Sequence, residues 1–273
     1  MRPLIPVIEA GADRYDARWT RAALAFLGAA WLTLVAQEAS NRLWLVHSGE
    51  LCTRRLLTWP ALMPPWALWL EWGLEVAVGV ILLSGRAVRP AVRLGAVLAL
   101  VSAQQRYMNQ KALLAIVLVF LALDPPDPGE PGFAERERPN VGLLRWQLAL
   151  VYLFSAIQKL RLGFVDGVSL TNLFSYLEGL GLSGWAPPGP FIEALALSPM
   201  LAKTLSWGVV GGELALIPLS LFRPRAALVG VAVLHGSFAV FMPDVLSFTF
   251  TMLACACVAA GATRFPLDTV NPK

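Results

Sequence analysis

The sequence predicts an all-α fold, a polytopic transmembrane bundle of about eight spans. Three observations predict it. Of 273 residues, 57% are hydrophobic and 15% are charged, whereas a soluble domain is nearer a quarter charged. Mean hydropathy is +0.62. Apolar runs of bilayer length recur along the chain, and no polar block large enough for a separate soluble domain interrupts them. Residues 1–273 therefore read as one membrane domain with a core at about 20–265.

In chain order, residues 1–20 carry Glu9, Asp13 and Asp16 among their arginines. They lack the apolar stretch of roughly 7–15 residues that a secretory signal needs. The first span, about 21–38, is expected to insert as an uncleaved anchor. Further spans are predicted at about 65–85, 90–108, 110–124, 141–160, 201–222, 225–242 and 245–262, the fourth being short. Pro64-Pro65, Pro125-Pro126, Pro139, Pro199, Pro224 and Pro243 fall at or near span ends, where a missing N–H does least harm. Pro218 lies inside the sixth span and predicts a kink. Residues 39–63 include RLWLVHSGEL, too short and polar to span. Residues 125–140 predict a Pro-rich solvated loop, and NLFSYLEGLGLSGW within 162–199 predicts a short helix at the interface. No internal repeat is evident.

The net charge of +4 is not a nucleic-acid footprint, because the arginines stand singly or in pairs between apolar runs. They act as topology signals. With the N-terminus inside, the inner segments collect Arg2, Arg14, Arg18, Arg21, Arg86, Arg89, Arg136, Arg138, Arg223, Arg225 and Arg264. The outer segments hold fewer, so both termini are predicted inside. Ten Trp residues suit two bilayer interfaces. Cys52, Cys255 and Cys257 read as small structural residues, and His47 and His235 are too few for a multi-His metal site, so no metal is expected.

A charged side chain inside a bilayer costs about 2.5–3.5 kcal/mol on insertion scales. Each one therefore needs a reason. The second span carries Glu71 and Glu75, four apart on one helix face. The third runs out through Gln104, Gln105, Arg106 and Tyr107 to Asn109, Gln110 and Lys111. The fifth carries Gln147, Tyr152, Ser155, Gln158 and Lys159, the sixth Gly211-Gly212-Glu213, and the seventh His235. In the predicted orientation this set gathers in the outer half of the bilayer and predicts a polar pocket open to the outer face. Gly211 and Gly212 would allow close helix approach beside Glu213. Each residue alone has a plainer reading. Lys159 beside Arg161 can snorkel, Glu71 and Glu75 can pair with Arg106 or Lys111, His235 can be a bonded core residue, and Asn109 and Gln110 can serve helix packing. Polar groups from five spans at one depth exceed what structure alone usually requires.

WQLALVYLFSAIQKLRLGFVDG (146–167) resembles the membrane domain of vitamin K-dependent gamma-glutamyl carboxylases, the horizontally transferred transmembrane (HTTM) family. Arg145, Gln147, Tyr152, Phe154, Lys159, Leu160, Phe164, Asp166 and Gly167 fit its pattern. VAQE (35–38), RYMNQKALL (106–114) and GGELALIPLSLFRPRAALVGVAVLHGSFAVF (211–241) resemble further family segments in the same order. The resemblance implies a lysine base acting on a vitamin K-like hydroquinone. The quinol anion reacts with O2 to give a strong base, which takes a proton from a glutamate γ-carbon, and CO2 adds. Lys159 matches that base by motif, and a lysine shielded from water can serve as a general base near neutral pH. Gln110 stands where the family has a His, and Gln158 where it usually has a second lysine. Gln110 cannot take up or release a proton, so an acid–base role there is lost. The soluble domain that binds protein substrates in the animal carboxylases is absent from these 273 residues, so docking of a leader peptide on such a domain is not expected.

The leading expectation is a membrane enzyme, gamma-carboxylase-like, that binds a reduced quinone and uses Lys159 as catalytic base with O2 and CO2. Its pocket candidates are Gln110, Asn109, Glu213, His235, Glu38, Glu71, Glu75, Gln158 and Tyr152. A small peptide, a protein substrate or a partner subunit would complete the system, together with membrane lipids and without nucleic acid. The expected location is a bacterial inner membrane. The rival is a non-enzymatic accessory that binds a lipid or quinone, or a toxin-processing or immunity protein, for which the Lys159 amine is dispensable. A transporter ranks last without a repeat.

Overall fold

The structure, a computed structural model, describes residues 13–39, 64–105, 109–130, 140–172, 197–241 and 245–264. RLWLVHSGEL, the expected interfacial helix beyond residue 172, His47, Cys52, Arg106, Arg136 and Arg138 lie outside the described residues.

Eight helices of 15 residues or more occupy the described chain: α1 (Ala17–Gln37), α2 (Pro65–Ser84), α3 (Val88–Gln105), α4 (Asn109–Leu123), α5 (Asn140–Arg161), α6 (Pro199–Phe222), α7 (Pro224–Phe241) and α8 (Leu246–Gly261). They coincide within a few residues with the apolar segments read from the sequence. Local chemistry sets their ends. Asp16 caps α1 by accepting from the Arg18 N–H at 2.7 Å. Pro65 and Pro199 open α2 and α6, where an N–H would lack a partner. Gly85 ends α2 with φ of 66°, a backbone state open to glycine at little cost. Pro218 sits inside α6, which nevertheless continues to Phe222.

By length and composition, α1, α2, α5 and α6 are long and apolar enough to cross a membrane. Helix α4 has 15 residues and rises only about 22 Å, short of a hydrocarbon core of about 30 Å. Helix α3 carries Arg89 and Arg93 among its 18 residues. The outward face of the bundle is apolar: Trp66, Leu70, Val97, Phe154, Val229 and Val233 are all exposed. Such a surface suits lipid. The long apolar helices and this surface mark a membrane protein.

Helix α8 is the hub. It packs against α1, α4, α5 and α7, and nearly all of its residues from Met252 onward are buried, including Cys255 and Cys257. A helix apolar all round belongs in the interior. Its last turn is held by Arg145 of α5, whose Nη2 donates to the Ala259 carbonyl at 3.2 Å. A cation at a helix C-terminus satisfies orphan carbonyls and complements the dipole. Helices α1 and α2 meet at Gly28 and Gly79, where a Cβ on Gly28 would fall 2.7 Å from the Gly79 carbonyl oxygen. Small residues permit that approach. A short antiparallel pair, β1 (Asp13–Tyr15) with β2 (Ala262–Arg264), places the start of α1 and the end of α8 on one face of the bundle. On that same face, the loop after α4 is tied to α3 by Arg89, which pairs with Glu130 and lies 4.0 Å from Asp127.

The Gly211-Gly212 expectation needs correction. A Cβ at Gly211 would meet nothing within 4 Å, and one at Gly212 only Leu234 at 3.9 Å. The tight approach of α6 to α7 is instead at Gly230, where a Cβ would lie 2.7 Å from Leu216 Cδ2.

Candidate functional site

The polar residues of α5 share one helix face. Tyr152, Ser155 and Lys159 follow i, i+3, i+7 spacing, which aligns them. That face packs on α6 and α8. Lys159 Nζ donates to Glu213 Oε1 at 2.7 Å and to Ser155 Oγ at 2.6 Å, and Ser155 Oγ–H donates to the same Glu213 oxygen at 2.8 Å. The three polar atoms form a closed triangle between α5 and α6. Its members differ in exposure: the Glu213 side chain is 4% exposed and that of Lys159 is 24%. The amine also stands 5.9 Å from the centre of the Phe164 ring, within reach of a cation–π attraction. Phe164 belongs to a single 3-10 turn, Phe164–Asp166, framed by Gly163 and Gly167 at positive φ. A Cβ on Gly167 would strike the Lys203 backbone nitrogen at 2.7 Å, so this turn seats closely on α6.

One turn earlier on α5, the Tyr152 hydroxyl bonds His235 Nε2 of α7 at 3.1 Å. Both are buried. The imidazole is enclosed by Phe238 and Phe248, with ring centres 6.0 and 5.2 Å away. Glu213 Oε2 and His235 Nδ1 find no hydrogen-bond partner among the described residues. Buried polar atoms are ordinarily satisfied, so these two are positions where the interior can receive a further polar group.

A cleft of about 750 Å³ opens along α4 and α5 and reaches Phe248 of α8. Ser155, Gln158 and Lys159 are on its wall with Gln147 and Ser169, and the rest is largely apolar. Ile116, Leu150, Phe154 and Leu162 line it and are exposed on the outside of the bundle. The cleft therefore offers an amine at the edge of an apolar chamber open to the outside of the bundle. A second groove of about 500 Å³ lies between α6 and α7, lined by Gly208, Gly212, Gly230 and apolar neighbours, and contains no titratable side chain.

A second buried polar centre uses other helices. Lys111 at the start of α4 pairs with Glu38 at the end of α1 at 2.5 Å and donates to Ser102 of α3 at 2.7 Å. Ser247 of α8 donates to Oε1 of Gln37, the residue before Glu38, at 3.1 Å. Glu71 and Glu75 are buried on α2, whose main neighbours are α1 and α3.

The predicted pocket set thus divides. Lys159, Glu213, Tyr152 and His235 come together, with Gln158 on the cleft wall. Glu38 joins Lys111 instead, and Glu71 and Glu75 stand on the α1–α3 side. Gln110 opens α4 beside Lys111 and is partly exposed, whereas the side chain of Asn109 lies outside the described residues. Ser155, one of the polar residues of the fifth span, belongs to the site although the sequence alone does not assign it there. Its position four residues before Lys159 was the available signal. Phe248 carried no such signal, because an aromatic in an apolar run reads as core.

Among the described residues, no cluster of three His, Cys, Asp or Glu side chains is placed to hold a metal ion. Comparison of the chain with known protein families, curated proteins and solved structures returned no match.

Proposed function

We propose that the chain is a membrane enzyme of the HTTM type that binds a lipid-soluble quinol in the α4–α5 cleft and uses Lys159 as its base. The observation that carries this reading is the Lys159 amine, at the wall of an apolar cleft of about 750 Å³ and 2.7 Å from a buried carboxylate. The proposed architecture is an eight-span bundle with both chain ends on the inner side of a bacterial inner membrane and the Lys159 cleft in the outer half.

The residues present fit such a group. Leu150, Phe154 and Ile116 would flank an apolar ring and tail, and Lys159, Ser155 and Gln158 would meet its hydroxyls. When bound, the quinol would supply the oxygen-dependent chemistry that generates a strong base. The protein's own part is proton handling. Lys159 Nζ and Glu213 Oε1 form a net-neutral pair, so a proton can sit on either atom without changing the charge of a low-dielectric site. Lys159 faces the cleft and exchanges protons there, while Glu213, more deeply buried, holds or returns them. Carboxylation, or a related oxygen-dependent modification of a peptide or protein, is the reaction class.

Mass spectrometry of small molecules that co-purify in mild detergent tests the binding step, with wild type and Lys159→Ala compared. A quinone retained by wild type and depleted in the variant supports the reading. A wild type carrying phospholipid alone, in a sample that also fails to take up added menaquinone, overturns it. The ion pair also favours one rival reading, a non-catalytic lipid or quinone carrier in which Lys159 only anchors α5 to α6. In that case Lys159→Arg keeps full function, whereas a base role loses it.

A further inference from the structure

Helical hydroxyls ordinarily bond back to a carbonyl three or four residues earlier. This chain follows that rule at Thr204, Ser220 and Thr251, which donate to the carbonyls of Met200, Leu216 and Ser247 at 2.8, 2.7 and 2.8 Å. Ser155 departs from it. Its hydroxyl donates across the helix interface to Glu213 Oε1 at 2.8 Å, and its oxygen accepts from Lys159 Nζ at 2.6 Å. The hydroxyl is thus poised between a carboxylate and an ammonium. Both Ser155 and Lys159 line the α4–α5 cleft.

We propose that Ser155 is a nucleophile for acyl transfer, with long-chain carboxylic esters as the substrate class. The arrangement contains the parts that an activated serine requires: a base within hydrogen-bond reach of the nucleophile and a cation beside it. Glu213 Oε1 takes the Ser155 proton as Oγ attacks the ester carbonyl carbon. The Lys159 ammonium stabilises the developing negative charge. The carbon–oxygen bond to the alcohol then breaks, and the leaving alkoxide takes the proton from Glu213. Water completes the cycle: it attacks the acyl-serine, gives one proton to Glu213, and the carboxylic acid departs as Ser155 Oγ recovers that proton. Ester and water become acid and alcohol, with no oxidant required. The substrate class follows from the walls. Leu150, Phe154 and Ile116 offer an acyl chain an apolar bed that opens to lipid, and Gln158 adds a side-chain amide to the cleft wall. This activity uses Lys159 as a cation rather than as a base, so it stands apart from the quinol reading.

The test is covalent labelling of the purified full-length protein in mild detergent with a dodecyl fluorophosphonate, read by intact mass and peptide mapping. The expected result is one adduct per chain, mapped to Ser155. Loss of the base in Glu213→Gln is expected to slow labelling by about 100-fold. Because the adduct is mapped in wild type, the result does not depend on Ser155→Ala folding. Absence of an adduct, or an adduct on another residue, overturns the proposal. No quinone is present in the assay, so its failure leaves the quinol reading standing, and failure of quinone binding leaves this one standing.

Discussion

Replacing Lys111 with Met removes a cation from the Glu38–Lys111–Ser102 centre while keeping the length of the side chain. Lys111 and Glu38 are each 1% exposed and Ser102 is fully enclosed. The 2.5 Å ion pair therefore sits in a region where bulk water cannot take its place. Removing one partner of a buried pair costs about 3–5 kcal/mol, because the other charge stays behind in a low-dielectric interior. At about 2–4 °C per kcal/mol for a chain approaching this size, Lys111→Met should melt roughly 6–20 °C below wild type. The double variant Lys111→Met/Glu38→Gln removes both charges and should recover most of that loss. Cys255 and Cys257 are buried in the hub helix and free, so a thiol-reactive fluorophore in a Cys52→Ser background reports unfolding directly. A single variant that melts within about one degree of wild type, or a double variant no more stable than the single, would refute the argument that this pair is held out of water.

Further outcomes follow from the same structure. Gly28→Val drives a side chain into the Gly79 carbonyl and Leu83 nitrogen, each 2.7 Å from the new Cβ. It should cost about 1–3 kcal/mol or more by overpacking, read as a lowered melting temperature. Gly211→Ala meets open space and should be neutral or stabilising by about 0.5–1 kcal/mol in the same melt. Tyr152→Phe takes the hydroxyl from His235 Nε2 and leaves a buried ring nitrogen short of a partner, a loss of about 1–3 kcal/mol; an unchanged melt would show that the bond contributes nothing. Arg145→Met withdraws the donor to the Ala259 carbonyl. It should destabilise by about 1.5–3 kcal/mol without changing quinone retention, since Arg145 lies toward the opposite end of α5 from Lys159.

Helix positions were legible in the sequence because a bilayer-length apolar run is a local property. Asp16 marks an end through its side-chain oxygen, and Pro65, Pro199 and Gly85 do so through their own backbone chemistry. The positions of Lys159, Glu213 and His235 along their helices could likewise be counted. Partner choice could not be counted. Lys159 and Glu213 are 54 residues apart, and Tyr152 and His235 are 83 apart. Which of several buried acids meets which amine depends on the neighbours each helix selects through its whole packed face. The reading of Gly211-Gly212 failed for that reason: small residues permit close approach, but α7 approaches α6 where Gly230 meets Leu216.

By itself the sequence determined a helical chain with apolar segments too long and too little interrupted for a water-soluble fold, and it determined that ionisable residues had to be accommodated among them. Only the tertiary structure decided how. It placed α8 at the centre, sent Glu38 to Lys111 and Glu213 to Lys159, and set Ser155 between an acid and an amine beside an apolar cleft. The physical reason is that hydropathy acts on each segment alone, whereas a buried charge is stabilised only by a partner that helix packing brings within hydrogen-bond distance.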